Sequence, residues 1–326
     1  MAPAVSHRRR TAAMAIGLVL VLGFVAASTA IATDVLGAGH LWERAVAKVD
    51  RFLAGPVPDR PAPGTVLVTS PDESEEPDLD PDEVEPGASG DPGVVTTPPP
   101  TTAAPSGAPS APATPTVKPA VPRRPVDVDI VKDHEVVFAH ELKTSWCAPA
   151  GIQMVLAILG HGNTSNAFQR ELQGRVHEWE SRRDALDGLW GPSAMSLALD
   201  AYGAKGYEVR AYQTRQSALR DAARAIKRTH SPVLLLAWRG AHTWVMTGYR
   251  ADADPVTFND AKIKGAYILD PWYPDISSIW GPSDPPGTFQ DEAEMIRNYL
   301  KWHRPEGHYP ERDGLYIAVV PTVKVR

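Results

Sequence analysis

Proline sets the first limit on what this chain can fold into. Residues 55–125 hold more than half of its 32 prolines, together with a Thr/Ala/Pro/Ser tract over 96–116. Proline fixes φ and removes a backbone donor, so this density excludes helix interiors and central strands. Few apolar side chains are available there to offset the entropy of ordering the segment, and disorder is expected. Between Asp72 and Asp91 the stretch carries ten acidic side chains and no basic one. Self-repelling charge and stiff prolines keep such a segment extended. Residues 34–125 therefore read as a disordered, Pro-rich, acidic stalk, either a spacer or a plain interdomain linker. A short helix at 40–53, through Leu41, Val46, Val49 and Phe52, fits within its first part.

Ahead of the stalk, His7-Arg8-Arg9-Arg10 precedes an uncharged stretch over 11–33. As a helix it is long enough to cross a hydrocarbon core of about 30 Å. Arginines held in the cytoplasm send the C-terminus outside. Ala30-Ile31-Ala32 also has the small-x-small form of a cleavage site. Residues 1–33 are thus expected to be a transmembrane anchor, with a cleaved signal peptide as the alternative. The first gives a single-pass cell-membrane protein with an extracytoplasmic C-terminal domain. The second gives a secreted one.

The net charge of −6 includes the ten negative charges of the acidic run, so the rest of the chain is only mildly basic, at +4. That is too weak for a nucleic-acid-binding face. One cysteine, Cys147, excludes an internal disulfide and any multi-thiolate metal site. His134 with His140, or His303 with His308, have no ligand spacing, and neither a metal nor a cofactor is expected. Phosphate-cradling glycine loops, Gly-x-Ser-x-Gly elbows and His-Glu-x-x-His sites are absent from the sequence.

Periodicity returns at Val126. Residues 126–131 alternate as a strand does. A helix is expected over 146–160, with Ser145 or Thr144 as its cap and Pro149 in its first turn. It carries Ile152, Val155, Leu156 and Leu159 on one face and ends at Gly160. Further helices are expected at 167–179, 191–203 and 217–228, and strands at 207–212, 232–238, 243–249, 265–269 and 315–320. A capped helix over 288–302 would turn Phe289, Ala293, Ile296 and Leu300 inward. Helices come mostly first and strands mostly last. That order predicts an α+β fold for 126–326, with N-terminal helices packed on an antiparallel sheet around one core.

Cys147 falls in the first turn of its helix, where backbone N–H groups and the helix dipole stabilise a thiolate. It is equally compatible with a small buried hydrophobe. His242 opens a strand and can be held rigidly against a helix end, though a structural histidine is the commoner occupant of such a place. Asp270 ends a strand just before Pro271. It can accept from an imidazole and set its tautomer, or it can be an ordinary turn aspartate.

Together the three fall in a meaningful order. Ser145-Trp146-Cys147-Ala148-Pro149-Ala150, the run from Gly240 through His242 to Tyr249, and Ile268-Leu269-Asp270-Pro271-Trp272 resemble the Cys, His and Asp motifs of the double-glycine leader peptidases. Those bacteriocin-processing enzymes have a papain-like fold. Residues 289–302 and 314–320 are similar to that family's closing helix and strand, so the resemblance covers about 127–326. It implies Cys147 as nucleophile, His242 as base and then acid, and Asp270 as orienter. It also implies an oxyanion donor, a glutamine six residues before the cysteine. Here that position is Glu141, with His140 beside it, and the family's glycine after the cysteine is Ala148. A carboxylate would repel the oxyanion, and losing one donor costs about 10²–10³ in rate. Either Glu141 is protonated, or Lys143 or His140 supplies the donor, or the domain is slow or inactive.

The expected function is an extracytoplasmic cysteine hydrolase acting on peptide or isopeptide bonds of a peptide or protein substrate, cell-envelope proteins included. Two alternatives use the same fold: an acyl or amide transferase, and a non-catalytic binding domain. If residues 11–33 are an anchor, the full-length chain stays with membranes through a high-salt wash. A mature form beginning near Thr33 in the medium identifies a signal peptide instead.

Overall fold

The computed structural model of the chain describes residues 64–69, 121–185, 189–303 and 309–325. The expected membrane helix at 11–33, the short helix at 40–53, the acidic run and His308 lie outside them. Among the described residues no helix is long and apolar enough to cross a membrane.

Runs rich in Val, Leu, Ile, Tyr and Trp form a central sheet of eight strands. In chain order these are β1 (Val66–Val68), β2 (Val126–Asp129), β3 (Tyr207–Tyr212), β4 (Val233–Ala237), β5 (His242–Ala251), β6 (Ile263–Leu269), β9 (Thr288–Asp291) and β10 (Tyr316–Pro321). A separate two-stranded ribbon joins β7 (Ile276–Ser277) and β8 (Gly281–Pro282). The order across the sheet is β1-β3-β10-β4-β5-β6-β9, with β2 also on β5. Every pairing is antiparallel except β1 with β3.

Among the described residues six helices flank the sheet: α1 (His134–Val137), α2 (Cys147–Leu159), α3 (Asn166–Gly174), α4 (Pro192–Ala201), α5 (Arg215–Thr229) and α6 (Glu292–Asn298). The strand period of two sorts side chains onto two faces. Leu234, Leu236, Val245, Ile317 and Val319 join Ile152, Leu156, Leu172 and Leu199 of α2, α3 and α4 in one core. Val233, Leu235, Met246, Ala318 and Val320 join Leu219, Ala223, Ile226 and Met295 of α5 and α6 in the other. The central strands are therefore apolar throughout, as a sheet covered on both faces must be. The N-terminal helices do pack on an antiparallel sheet, and α5 and α6 add a third layer behind it.

Four expectations are corrected. The stalk is not disordered throughout. Thr65-Val66-Leu67-Val68-Thr69 is a β-branched run, and its centre pairs with Arg210–Tyr212 of β3 as an edge strand. At the stalk's other end, Arg123 bridges Asp252 at 3.0 Å and Asp260 at 2.9 Å. The single helix expected at 288–302 is strand β9 followed by the short α6, because pairing with β6 over Gly265–Ile268 claims residues 288–291. The buried face of α6 is consequently Met295 and Asn298, with Tyr299 just beyond, while Ala293 is exposed and Ile296 half-buried. The helix expected at 167–179 stops at Gly174, and Val176–Glu178 forms a separate 3-10 turn. Neither Ser145 nor Thr144 is the cap of α2. Trp146 is, and it supplies no side-chain capping bond.

One buried ion pair ties the described C-terminal segment to the helical layer. The Asp184 carboxylate accepts from the Ser193 and Ala194 N–H groups at 3.2 and 2.8 Å, capping α4 from a distant loop. It also pairs with the buried Arg312 guanidinium at 2.8 Å. Breaking such a pair strands a charge in the interior at a cost of about 3–5 kcal/mol. Asp184→Ala should therefore lose about that much stability in chemical denaturation, and Asp184→Asn, which keeps an acceptor for α4, should lose less.

Candidate active site

Cys147 is the first residue of α2 and is half-buried. One turn on, at Gly151, the helix lies so close to β5 that a Cβ there would meet Thr243 Cγ2 at 2.9 Å. Thr243 follows His242, so this contact brings the thiol and the imidazole side by side. With no capping side chain at Trp146, the positive end of the helix remains available to the sulfur.

The turn before His242 is built for this approach. Trp238, Arg239 and Gly240 all have positive φ, at 52°, 59° and 87°. A left-handed conformation costs a non-glycine residue of order 1–3 kcal/mol, and such strain persists only where the surroundings enforce it. Here a Cβ on Gly240 would fall 2.4 Å from the Trp302 ring. The turn delivers the Ala241 carbonyl to 4.0 Å from Cys147 Sγ. It also lays Trp238 flat on His242, with centroids 4.0 Å apart and planes 18° apart. Trp238 is held in its turn by donating Nε1–H to Asn298 Oδ1 of α6 at 3.1 Å. Trp272 closes the other side edge-on, 6.3 Å from the imidazole.

His242 Nε2 and Asp270 Oδ1 are 2.7 Å apart, and both residues are buried. The same oxygen accepts the Trp272 N–H at 2.9 Å, which fixes the carboxylate. Nε2 is thus committed, leaving Nδ1 for the thiol. Burial acts most strongly on the imidazole and pushes its pKa down, but the Asp270 charge and hydrogen bond, with a smaller contribution from the Cys147 thiol, outweigh it and raise His242 to about 10. The imidazole beside the thiol is thus one that holds its proton strongly.

Glu141 reaches the same point. One ligand atom from each of Glu141, Cys147 and His242 lies within 4.8 Å of the others, the one such three-residue group among the described residues. Glu141 is 2% exposed. Its position is set by its neighbours: the Glu141 N–H donates to the Pro271 carbonyl at 2.9 Å. Buried Gln169 takes the Leu142 N–H at 2.8 Å and donates to the His140 carbonyl at 3.0 Å, clamping both flanking residues. Of the other donors considered, His140 is exposed with Nδ1 on the Tyr273 carbonyl at 2.9 Å. Lys143 is exposed above the Trp146 ring. The histidine pair His134 and His140 forms no site, since His134 is bonded to Asp129 at 2.9 Å.

Residues 127–277 match the Peptidase_C39 like family. The match supports a papain-like cysteine peptidase domain. Glu141, Cys147, His242 and Asp270 all fall within the matched residues, whereas β9, α6 and β10 lie beyond them. No curated protein and no solved structure matches the chain. Two parts of the site were missed from sequence: the stacked Trp238 and the Gln169 clamp. Trp238 sits four residues before His242 in Trp-Arg-Gly-Ala-His, and its adjoining glycine was the available sign of an unusual turn. Gln169, far along the chain on a helix, gave no sign.

Proposed function

We propose that the chain is an extracytoplasmic cysteine hydrolase acting on peptide or isopeptide bonds through Cys147, His242 and Asp270. The observation that carries this reading is the buried His242–Asp270 bond at 2.7 Å beside a cysteine at a helix N-terminus. The Cys147 thiolate attacks the substrate carbonyl, and a thioester forms as the C–N bond breaks. The His242 imidazolium gives its proton to the leaving amine. Water then attacks the thioester, with neutral His242 accepting its proton, and the carboxylic acid and thiol are released. Asp270 keeps the imidazole in one tautomer and stabilises its charged form. The pattern of residues 1–33 supports export, and 126–326 is the proposed catalytic domain.

A second reading, a papain-like domain that binds without turnover, is favoured by Glu141. A carboxylate in place of a neutral donor opposes the developing oxyanion. A peptidyl p-nitrophenyl ester separates the two, because an acyl group left on Cys147 appears in the intact mass. The hydrolase reading predicts acylation of the wild-type chain and none of Cys147→Ser. His242→Ala should lose about 10²–10⁴ in rate, the usual contribution of a general base. Asp270→Asn should lose less than His242→Ala, and Glu141→Gln should acylate faster than wild type. Acylation seen only in Glu141→Gln would favour the binding reading, and acylation that survives Cys147→Ser would exclude the triad.

A further inference from the structure

The Glu141 carboxylate has no place in the acyl-transfer chemistry, yet it is buried, braced on both sides by Gln169 and aimed at the point where thiol and imidazole meet. We propose that Glu141, Cys147 and His242 form a binding site for a borderline transition-metal dication of the zinc class, which masks the thiol reversibly. The masking of activity rests on the hydrolase reading; the binding itself does not.

The donor set selects the class of ion. Thiolate, imidazole and carboxylate together suit zinc and its near neighbours, whereas magnesium and calcium take all-oxygen cages. Three protein ligands with a fourth, open position are the usual arrangement of an accessible zinc site. With metal–ligand bonds of about 2.0–2.3 Å, the ligand atoms of a tetrahedral site stand roughly 3.3–3.6 Å apart. The three atoms here already lie within 4.8 Å of one another, close to the spacing such a shell requires. Its outer shell is also in place. His242 holds Asp270 on Nε2 at 2.7 Å, the carboxylate–histidine arrangement that orients a metal-binding imidazole and raises its basicity. On binding, the sulfur and Nδ1 lone pairs go to the metal and the imidazolium proton goes to solvent. The thiol can then neither attack a carbonyl nor be alkylated.

Cobalt(II) is the probe, because a thiolate bound to it gives a charge-transfer absorption. The full chain is first stripped with a chelator and then titrated. The site predicts a saturable thiolate-to-cobalt band, absent in Cys147→Ser, that zinc bleaches while protecting Cys147 from iodoacetamide. Loss of even an outer-shell partner costs about 10–100-fold in affinity. Asp270→Asn should therefore weaken cobalt binding by about that much, and Glu141→Gln by no less than about tenfold. A missing band, or an affinity that neither substitution changes, would overturn the site. Acylation of the stripped chain without a cobalt band overturns the metal site and leaves the hydrolase reading standing. A band sensitive to both substitutions in a chain that never acylates does the reverse.

Discussion

Helix α2 can lie against strand β5 only because Gly151 presents no side chain to Thr243, where a Cβ would come within 2.9 Å. That contact fixes the distance between the first turn of the helix and the first residue of the strand. Cys147 and His242 occupy those two places, so their separation follows from how the layers pack rather than from a flexible loop. The sheet is covered on both faces by apolar side chains, which makes this layer spacing stiff. Any group that must hold two side chains within bonding distance benefits from being mounted on such elements rather than on loops.

The cost of the arrangement is concentrated in a few residues. Three successive positive φ values at Trp238–Gly240 and buried ionisable groups at Glu141, His242 and Asp270 all work against folding. They are offset locally. Trp238 is held by Asn298 and stacks on the imidazole, Asp270 takes two hydrogen bonds on one oxygen, and Gln169 secures the loop carrying Glu141. Part of that support comes from α6 and Trp302, beyond the residues that match the peptidase family. The described residues beyond 277 therefore contribute structural support to the site.

Much of this was legible in the sequence where local chemistry decides the outcome. The apolar stripe and Gly160 stop of α2, the alternation of β3 and the runs of β4, β5, β6 and β10 all follow from period and termination signals. The order Cys147, His242, Asp270 pointed to one site because each falls at the end of an element. What failed was non-local. Residues 288–291 read as helix until a pairing partner, β6, was available to them. Val66–Val68 read as stalk because its neighbours are prolines and acids, and only β3 supplies the edge it joins. Trp238 and Gln169 act through contacts across the fold that no spacing rule encodes.

The central claim of the proposed function is that His242 acts as the base for the Cys147 sulfur. The direct measurement is the rate at which iodoacetamide alkylates Cys147 in the chelator-treated full chain at neutral pH, compared between wild type and His242→Ala. Alkylation follows the thiolate fraction, which an ordinary cysteine of pKa about 8.5 holds low at that pH. The account predicts faster alkylation in wild type than for a cysteine in an unfolded peptide, and a marked slowing in His242→Ala. Equal rates in the two proteins, at or below the peptide's rate, would contradict it.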